Sequence, residues 1–348
     1  MKKIREHLIP SHAQLKDALV QLDALGKDAI LFAVNEEQQL VGALTDGDVR
    51  RALLKGVTIN DPIQTVYQSK PKFIRKGEHD LKKIIAFREG HFQILPVLDK
   101  DDRVVNVINL SEMRSYLPID AIIMAGGRGE RLKPLTNTTP KPLLKIGDKP
   151  IMEHNVDRLA LYGIDDFWIS VNYLGEQIAD YFGSGSLKNI QIQYLWENQP
   201  LGTIGAVSQI NNLTHDYVLI TNSDILTNLD YEHFYLDFID QDADFSVVTI
   251  PYQVRIPYAV LESQDNAIVS FKEKPTYTYY SNGGIYLMKK SMLDFIPKNT
   301  FYNATDLMEQ LIKRGKKVVS YPLAGYWLDV GNPEDFNKAQ HDITQIKF

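Results

Sequence analysis

The sequence contains no cysteine, which excludes a disulfide framework, a thiolate metal site and a cysteine nucleophile. It also lacks any run of about 18 apolar residues, the length that a helix needs to cross a bilayer. The first ten residues, MKKIREHLIP, have no apolar stretch of the kind that a signal peptide requires. We therefore expect a cytoplasmic protein without a membrane partner.

Basic charge is scarcer than acidic charge. The chain has 38 Lys and Arg residues against 44 Asp and Glu residues, a formal net charge of -6. Because general binding to nucleic acid requires a basic surface, we expect no nucleic-acid partner, and any phosphate group must be bound locally. The length of 348 residues exceeds what one hydrophobic core usually organises, so it predicts two or more domains.

An internal repeat occupies the first third of the chain. Residues 30–49, ILFAVNEEQQLVGALTDGDV, align without gaps on residues 94–113, ILPVLDKDDRVVNVINLSEM. Each copy predicts a strand, a polar turn, a second strand and a helix start, and a helical pattern precedes each copy. We place the repeats at about 1–56 and 61–117, in a first domain of residues 1–117 that is followed by a second domain of residues 118–348.

The repeat, with its phrase LVGALTDGDVRRAL, resembles a tandem pair of CBS domains. In that family the Thr and Asp of a T-x-x-D step bind the ribose of an adenine nucleotide, which implies an effector site at Thr45 and Asp48. The second copy has Asn109 and Glu112 at these places, so the resemblance supports one such site rather than two. Alternatively, Thr45 and Asp48 cap the helix that begins there.

Each copy of the repeat is too short to bury a core alone. We therefore expect the two copies to pack together, as a regulatory or pairing module without a catalytic constellation. Their exposed edges offer a self-complementary surface, so we also expect a homo-oligomer whose assembly depends on residues 1–117.

From Ile119 onward, short β-branched strands alternate with helices, which predicts a mostly parallel sheet with helices on both faces. In such sheets, ligands bind beyond the carboxyl ends of the strands. The segment MAGGRGERLKPLTNTTPKP, residues 124–142, follows the first strand. Its glycines let backbone amides approach a ligand closely, and its arginines and lysines supply the charge that a polyphosphate requires.

This segment, continued to MEH, resembles the signature of the sugar-1-phosphate nucleotidyltransferases. Four later segments agree with that family in order: ENQPLGTIGAV, ITNSDIL, FKEKP followed by NGGIYLM, and GYWLDVGNPEDFNKA. The resemblance implies an α/β fold of the GT-A or Rossmann-like type, preceded here by the smaller α/β CBS pair. It also implies an enzyme that joins a nucleoside triphosphate to a sugar 1-phosphate and releases pyrophosphate.

The resemblance assigns roles to individual residues. Arg131 would hold the leaving phosphates and Lys141 would contact the α-phosphate, roles that suit a bidentate fork and a compact point charge respectively. Asp224 and Asp329 would bind one Mg²⁺, a hard ion that prefers carboxylate oxygens. The implied nucleotide contacts are Ala125, Gly126, Gly127, Arg128, Gly129, Glu197, Gly202 and Thr203, and the implied sugar-phosphate contacts are Glu273, Lys274, Asn282 and Gly283.

Glu197 of ENQPLG bears on the choice of base, because related enzymes often read the base edge with a side chain at this place. A carboxylate only accepts hydrogen bonds, and guanine offers two adjacent donors where uracil and thymine offer one. Glu197 therefore favours GTP. The alternative is that Glu197 points away and that main-chain groups of Ala125, Gly126 and Gly202 recognise the base.

The identity of the sugar stays open, because Ser223 and Ala259 stand where relatives commonly have glycine. A CBS pair in front of this transferase resembles the glucosamine-1-phosphate guanylyltransferases of bacterial legionaminic acid biosynthesis, which supply nucleotide sugars for surface glycans. A mannose-1-phosphate guanylyltransferase and a UTP- or dTTP-dependent transferase are the alternatives. A nucleotide-sensing scaffold without turnover is the alternative of a different class.

Overall fold

The computed structural model describes residues 2–77 and 81–346. The chain divides into two compact units. One comprises Met1–Pro118, Ala160–Ile164 and Ser186–Asn189, and the other comprises Ile119–Leu159, Asp165–Gly185 and Ile190–Phe348. Within the described ranges, each helix falls short of the length and apolar character that a membrane span requires.

The first unit is built from two similar three-stranded sheets. Its helices are α1 (Lys2–Glu6), α2 (Leu15–Leu25), α3 (Asp46–Leu54) and α4 (Leu81–Glu89). Its strands are β1 (Leu8–Pro10), β2 (Ile30–Val34), β3 (Leu40–Thr45), β4 (Ile74–Arg75), β5 (Ile94–Leu98) and β6 (Val104–Asn109). The sheet orders are β1-β2-β3 and β4-β5-β6, and in each the first pair is parallel and the second antiparallel. The sequence repeat is therefore also a repeat of topology.

The two copies pack on each other through one apolar cluster that contains Phe32 and Ala43 of the first copy and Ile94 of the second. The helical pattern before the second copy forms α4, and its first residues, His79 and Asp80, lie outside the described residues. The helix start predicted after β6 is wrong, because residues 110–112 form a turn. Asn109 Oδ1 accepts a hydrogen bond from the Ser111 amide at 3.0 Å, a local bond that competes with helix formation.

The second unit contains most of the remaining elements. The strands are β7 (Ile119–Met124), β8 (Lys145–Ile146), β9 (Lys149–Pro150), β10 (Asp166–Val171), β11 (Gln191–Trp196), β12 (Tyr217–Asn222), β13 (Ile225–Thr227), β14 (Phe245–Arg255), β15 (Val260–Gln264), β16 (Ala267–Lys272), β17 (Thr276–Lys289), β18 (Val318–Pro322) and β19 (Trp327–Asp329). The helices after the first unit's four are α5 (Ile151–Leu161), α6 (Gly175–Phe182), α7 (Tyr231–Asp240), α8 (Ala304–Lys313) and α9 (Pro333–Asp342).

A seven-stranded sheet in the order β11-β10-β7-β12-β17-β14-β18 organises this unit. Neighbouring strands are parallel except where β17 pairs with β12 and β14. The mixed, mostly parallel sheet predicted from the sequence is therefore confirmed. Strand β10 is buried along its whole length, as expected for a central parallel strand, and Leu307 and Leu311 of α8 share a core cluster with Ile122 of β7.

A two-stranded ribbon extends from this sheet. Strand β14 is buried from Phe245 to Thr249 and exposed from Pro251 to Arg255. Strand β17 is exposed as far as Asn282, except at the half-buried Tyr277. Between these strands, β15 and β16 form a hairpin whose turn residues, Asp265 and Asn266, have φ values of 47° and 65°. Two residues with positive φ are typical of a tight hairpin turn. We call residues 250–282 the arm.

Asp120 joins β7 to the loop that precedes β12. Its carboxylate is 1% exposed and accepts hydrogen bonds from the amides of Thr214 at 3.2 Å and His215 at 2.7 Å. Burial, with a smaller contribution from the negative charge of Asp166, raises the pKa of Asp120 to about 6, although the two amide hydrogen bonds and Lys290 act in the opposite direction. This carboxyl is thus easier to protonate in the folded chain than in the unfolded chain.

This raised pKa predicts a pH dependence of stability. Because the folded pKa lies above the ordinary value of 3.8, the stabilising effect of the proton is complete below that value and is lost as the pH rises through about 6. Asp120→Asn does not titrate there. Relative to this variant, the wild type should lose up to about 3 kcal/mol of unfolding free energy over this interval, measured by urea denaturation. The exposed Asp216→Asn should behave as the wild type, and parallel curves for wild type and Asp120→Asn would refute the assignment.

Candidate active site

A cavity of about 450 Å³ lies at the carboxyl ends of the parallel strands. The glycine-rich segment follows β7, Glu197 follows β11, and Ser223 and Asp224 follow β12, so the parallel topology brings these segments to one edge of the sheet. The cavity is lined by Met124, Gly126, Gly127, Gly129, Glu130, Arg131, Lys141, Pro142, Glu197, Pro200, Leu201, Gly202, Thr203, Asn222, Ser223, Asp224, Phe301 and Gly331. Most of the predicted nucleotide and catalytic residues are therefore close together.

Two glycines of the loop are required by close contacts. Gly129 has φ 62°, and a Cβ at this position would lie 2.9 Å from Lys141 Cβ. A Cβ at Gly126 would lie 2.8 Å from Glu197 Oε1. Larger residues would therefore displace Lys141 or Glu197. The amide of Ala125 is already used within the sheet, since it donates to Ser170 O at 2.9 Å.

Lys141 and two aspartates form a charged cluster at the cavity, which Lys141 and Asp224 line and beside which Asp329 lies. The Lys141 ammonium donates a hydrogen bond to Asp224 Oδ2, and it lies 3.8 Å from Asp329 Oδ1. Lys141 is 8% exposed and is held in a short turn between Pro140 and Pro142. Its ammonium is therefore fixed in direction, and it faces two carboxylates rather than one.

Strand pairing explains why the two aspartates meet. Asp224 immediately precedes β13, Asp329 ends β19, and the antiparallel register places Ile225 opposite Asp329. The Val330 amide also donates to Asp224 O at 3.0 Å. Burial raises the pKa of Asp329, the negative charge of Asp224 raises it further, and Lys141 and Arg131 act in the opposite direction.

The aspartate pair fits a divalent cation. Asp224 Oδ1 and Asp329 Oδ1 are both buried, and neither accepts a hydrogen bond from any residue that the structure describes. An unpartnered buried carboxylate oxygen is costly, and a cation would satisfy it. Carboxylate oxygens are also the ligands that Mg²⁺ prefers. Magnesium itself remains a prediction.

The two arginines of the glycine-rich segment differ in position. Arg131 lines the cavity beside Gly331, where a Cβ would lie 3.0 Å from Arg131 Nη2, so glycine leaves room for the guanidinium. Arg128 is absent from the cavity lining, and its guanidinium carbon lies 6.0 Å from the centre of the Tyr173 ring. The structure therefore groups Arg131, and not Arg128, with Lys141.

Glu197 lines the cavity but is also held by its own chain. The Ser170 hydroxyl donates to Oε1, and the Leu201 amide donates to Oε2 at 3.0 Å. The Asn172 side chain donates to the main-chain carbonyl of Glu197 at 2.9 Å. These bonds fix the direction of the carboxylate. They also give it a structural role in the turn to Leu201, which the sequence did not predict.

Gly202 and Thr203 are anchored to the start of α8. Gly202 has φ 78°, and a Cβ there would lie 2.6 Å from the Tyr302 carbonyl oxygen. The Thr203 amide donates to Asn303 Oδ1 at 3.2 Å, and the Thr203 hydroxyl accepts from the Ala304 amide at 2.9 Å. Thr203 therefore lies at the cavity with its polar groups engaged in this anchor.

The four predicted sugar-phosphate residues are absent from the cavity lining. Glu273 and Lys274 are exposed on the arm. Asn282 donates from its side chain to the Tyr286 hydroxyl at 2.9 Å, and the carbonyl of Gly283 accepts from Trp327 Nε1 at 2.9 Å. Gly283 is thus tied to the strand that ends at Asp329, whereas the structure does not bring Glu273 and Lys274 to the cavity.

In the first unit, Thr45 and Asp48 form a reciprocal cap on α3. The Asp48 amide donates to Thr45 Oγ1 at 3.3 Å, and the Thr45 hydroxyl donates to Asp48 Oδ2 at 2.6 Å. Arg51 and Gln68 donate to Asp48 Oδ1. Burial raises the pKa of Asp48, but these hydrogen bonds outweigh it and lower the pKa below its ordinary value. The structure therefore shows the capping role.

Two features of the second unit had no sequence signal. Phe301, in the loop before α8, is 61% exposed and lines the cavity, yet it stands outside every motif. Asp165, Asp166 and His215 bring ligand-type atoms within 4.8 Å of one another at the amino ends of β10 and β12. That cluster lies at the opposite edge of the sheet from Asp224 and Asp329.

The cation site can be tested without measuring turnover. Asp224→Asn and Asp329→Asn should each weaken Mn²⁺ binding, with a nucleoside triphosphate present, by at least about tenfold, because each removes a carboxylate that would hold the ion. Electron paramagnetic resonance measures the free Mn²⁺. The exposed Asp148→Asn serves as the control and should bind normally. Unchanged affinity in both cavity variants would show that the ion binds elsewhere.

Comparisons with known proteins agree with this geometry. A profile of the family described as Nucleotidyl transferase matches residues 120–346. Mannose-1-phosphate guanylyltransferase of Mycobacterium tuberculosis is 31% identical over 236 residues, which make up 65% of this chain and 65% of that relative. D-glycero-alpha-D-manno-heptose 1-phosphate guanylyltransferase of Aneurinibacillus thermoaerophilus is 31% identical over 228 residues, 65% of this chain and 98% of the relative.

A solved structure is also similar to the second unit. The crystal structure of HddC from Yersinia pseudotuberculosis complexed with GMP-PN has a TM-score of 0.50 and 26% identity, and the match covers 64% of this chain and 99% of that one. The profile match spans more than half of this chain and contains the whole charged cluster. The chain therefore belongs to the nucleotidyl transferase family, the family of the sugar-1-phosphate nucleotidyltransferases.

Proposed function

We propose that this chain is a cytoplasmic enzyme that transfers GMP from GTP to a sugar 1-phosphate and releases pyrophosphate. The observation that carries the proposal is the cluster of Lys141, Asp224 and Asp329 in a cavity beside a glycine-rich loop. The product would be a GDP-sugar for bacterial surface glycans.

Catalysis of this reaction depends mainly on neutralising the negative charge of the phosphate groups. An oxygen of the sugar phosphate bonds to the α-phosphorus of the triphosphate, the bond from that phosphorus to the bridging oxygen breaks, and pyrophosphate leaves with that electron pair. The attacking oxygen is already anionic, so positioning and charge matter more than a protein base. The fixed ammonium of Lys141 suits the α-phosphate, and the guanidinium of Arg131 suits the leaving phosphates.

Asp224 and Asp329 would hold a divalent metal, which enzymes of this family typically use, and we propose Mg²⁺. When bound, such an ion neutralises phosphate charge as a Lewis acid. Asp224 Oδ2 holds Lys141 in place by a hydrogen bond. Asp224 Oδ1 and Asp329 Oδ1, which accept no hydrogen bond from the described residues, remain for the ion. The cluster thus combines one fixed protein cation with a site for a second cation.

The preference for GTP rests on Glu197. Its carboxylate is oriented by Ser170 and Leu201, and each carboxylate oxygen can accept more than one hydrogen bond. Two donors of guanine can therefore share these oxygens, whereas the carbonyls of uracil would face their lone pairs. Phe301 offers an apolar ring at the same cavity for the face of a base. Both relatives named above are guanylyltransferases.

For the sugar, we propose glucosamine 1-phosphate, because the repeat in front of the transferase resembles the CBS pair of the guanylyltransferases that use it. Mannose 1-phosphate is the second candidate, since the mycobacterial relative is 31% identical and is named for it. The sugar-phosphate contacts proposed for Glu273, Lys274, Asn282 and Gly283 require the arm to reach the substrate.

We also propose that the repeat of residues 1–117 is a CBS pair with one adenine-nucleotide effector site, at Thr45 and Asp48. The ribose hydroxyls would replace the hydrogen bond between these two side chains. Calorimetric titration of AMP and ATP tests this proposal. Binding should be lost in Thr45→Ala/Asp48→Ala, and binding that survives the substitution would place the effector elsewhere.

Turnover tests the main proposal. With Mg²⁺, the full chain should release pyrophosphate from GTP and glucosamine 1-phosphate faster than from UTP or dTTP. Lys141→Ala and Arg131→Ala should each lower kcat by roughly 10² or more, the loss expected when a preorganised transition-state contact is removed. The exposed Lys338→Ala is the control. Nucleotide binding without turnover for every triphosphate and sugar phosphate would instead favour the scaffold alternative.

Glu197→Gln tests the choice of base. The substitution keeps the shape but exchanges an acceptor for a donor, so one contact with guanine becomes mispaired. The ratio of kcat/KM for GTP to that for UTP should fall, by an amount that corresponds to about 1–3 kcal/mol of activation free energy. The kcat/KM for UTP serves as the internal control, because general damage to the turn at Leu201 would lower the rates with both triphosphates. Equal losses for both triphosphates would limit Glu197 to supporting the loop and move base recognition to the backbone.

A further inference from the structure

The arm presents apolar side chains to solvent on a ribbon that leaves the catalytic sheet. Every residue from Pro251 to Asn282 is exposed or half-buried. The arm nevertheless carries several large apolar side chains, among them Tyr252, Phe271 and Tyr279. In a soluble chain, an apolar patch of this kind marks an interaction surface.

One face of the ribbon is aromatic. Tyr252 pairs with Tyr279 and Val254 pairs with Tyr277, and paired residues share a face of the sheet. Tyr252 is 63% exposed and Tyr279 is 59% exposed. The opposite face carries the polar pair of Gln253 with Thr278, and also the pair of Pro251 with Tyr280, whose side chain is 62% exposed. The ribbon therefore leaves one largely apolar face, and one further tyrosine on the other face, exposed to solvent.

The hairpin at the end of the arm continues this surface. Leu261 lies opposite Phe271, and these side chains are 54% and 65% exposed. Val269, beside the irregularity in the pairing, is 60% exposed. A two-stranded hairpin is marginally stable in water unless another surface packs on it. A surface packed on the hairpin would therefore stabilise it.

We propose that the arm docks on the arm of a second copy of this chain, in a twofold dimer. The charge of the arm supports this partner. Its basic residues, Arg255, Lys272 and Lys274, equal in number its acidic residues, Glu262, Asp265 and Glu273. The chain as a whole carries a net charge of -6, so two copies meet with least repulsion where the surface is neutral.

The charges are also arranged for twofold pairing. Asp265 lies at the tip of the hairpin. Arg255, Lys272 and Lys274 lie toward its base together with Glu262, which pairs with Lys272 at 3.6 Å, and Glu273, so the base is basic by only one net charge. In an antiparallel pair of arms, the acidic tip of each copy lies beside the basic base of the other, and twofold symmetry repeats the contact. Nucleic acid or an anionic membrane would instead require a net positive arm.

Docking of a second arm would affect the catalytic cavity through β17. This strand runs from the arm to Gly283, whose carbonyl is bonded to Trp327 in the strand that ends at Asp329. A second arm would thereby fix the path of the strand that carries Asn282. This consequence rests on the proposed function, whereas the dimer itself does not.

Sedimentation equilibrium of the full chain tests the proposal. The wild type should be a dimer at micromolar concentration. Val254→Lys/Phe271→Lys, which places charges on the apolar surface, should weaken dimerisation by at least about tenfold. Ile312→Lys is the matched control, because Ile312 is 59% exposed on α8, and it should leave the dimer unchanged.

Two charge-reversal variants, which change exposed residues only, test the antiparallel arrangement of the arms. Asp265→Lys makes the tip basic, and Arg255→Glu/Lys272→Glu makes the base acidic, so each variant alone should dimerise more weakly than the wild type. Mixing the two should restore a dimer, since every tip then meets an opposite charge. A monomeric wild type overturns the proposal. A dimer that the arm variants leave intact also overturns it, because assembly would then depend on another part of the chain, such as residues 1–117. A mixture of the two charge variants that stays monomeric overturns the antiparallel arrangement and with it the proposal.

Discussion

The cavity depends on one ammonium group that faces two carboxylates. Lys141 is buried between prolines and bonded to Asp224, with Asp329 at 3.8 Å. One ammonium group cannot make close contacts with every oxygen of two carboxylates, and two buried carboxylate oxygens remain without hydrogen bonds among the described residues. Burial, together with the negative charge of Asp224, raises the pKa of Asp329, and the cluster fits a further cation.

The rest of the fold holds this cluster and leaves space beside it. The antiparallel pairing of β13 with β19 brings the two aspartates together, and the parallel strands deliver the glycine-rich loop to the same edge. The glycines are needed for steric reasons. A side chain at Gly129 would meet Lys141, one at Gly126 would meet Glu197, and one at Gly331 would meet Arg131. The shape of the cavity thus depends on the lack of a side chain at these glycines as well as on the charged residues.

The parallel sheet, the repeat and the cavity's glycine-rich loop follow from local patterns, because strand periodicity and loop position depend on neighbouring residues. The meeting of Asp224 with Asp329 was predicted only through the family resemblance, since spacing carries no information on which distant strands pair. The same limit explains why the bonds from Ser170 to Glu197 and from Thr203 to α8 were missed. The predicted helix after β6 failed because Asn109 bonds locally to Ser111. The exposure of Glu273 and Lys274 follows from the course of the arm, which no motif encodes.

The central claim is that the cluster binds a metal ion next to the reacting phosphate. A crystal structure with Mn²⁺ and a GTP analogue that cannot be cleaved, recorded with anomalous diffraction, tests it most directly. The account predicts an anomalous peak between Asp224 and Asp329, with the Lys141 ammonium in contact with an α-phosphate oxygen. A peak at Asp165, Asp166 and His215 alone, or a nucleotide bound away from Lys141, would contradict it.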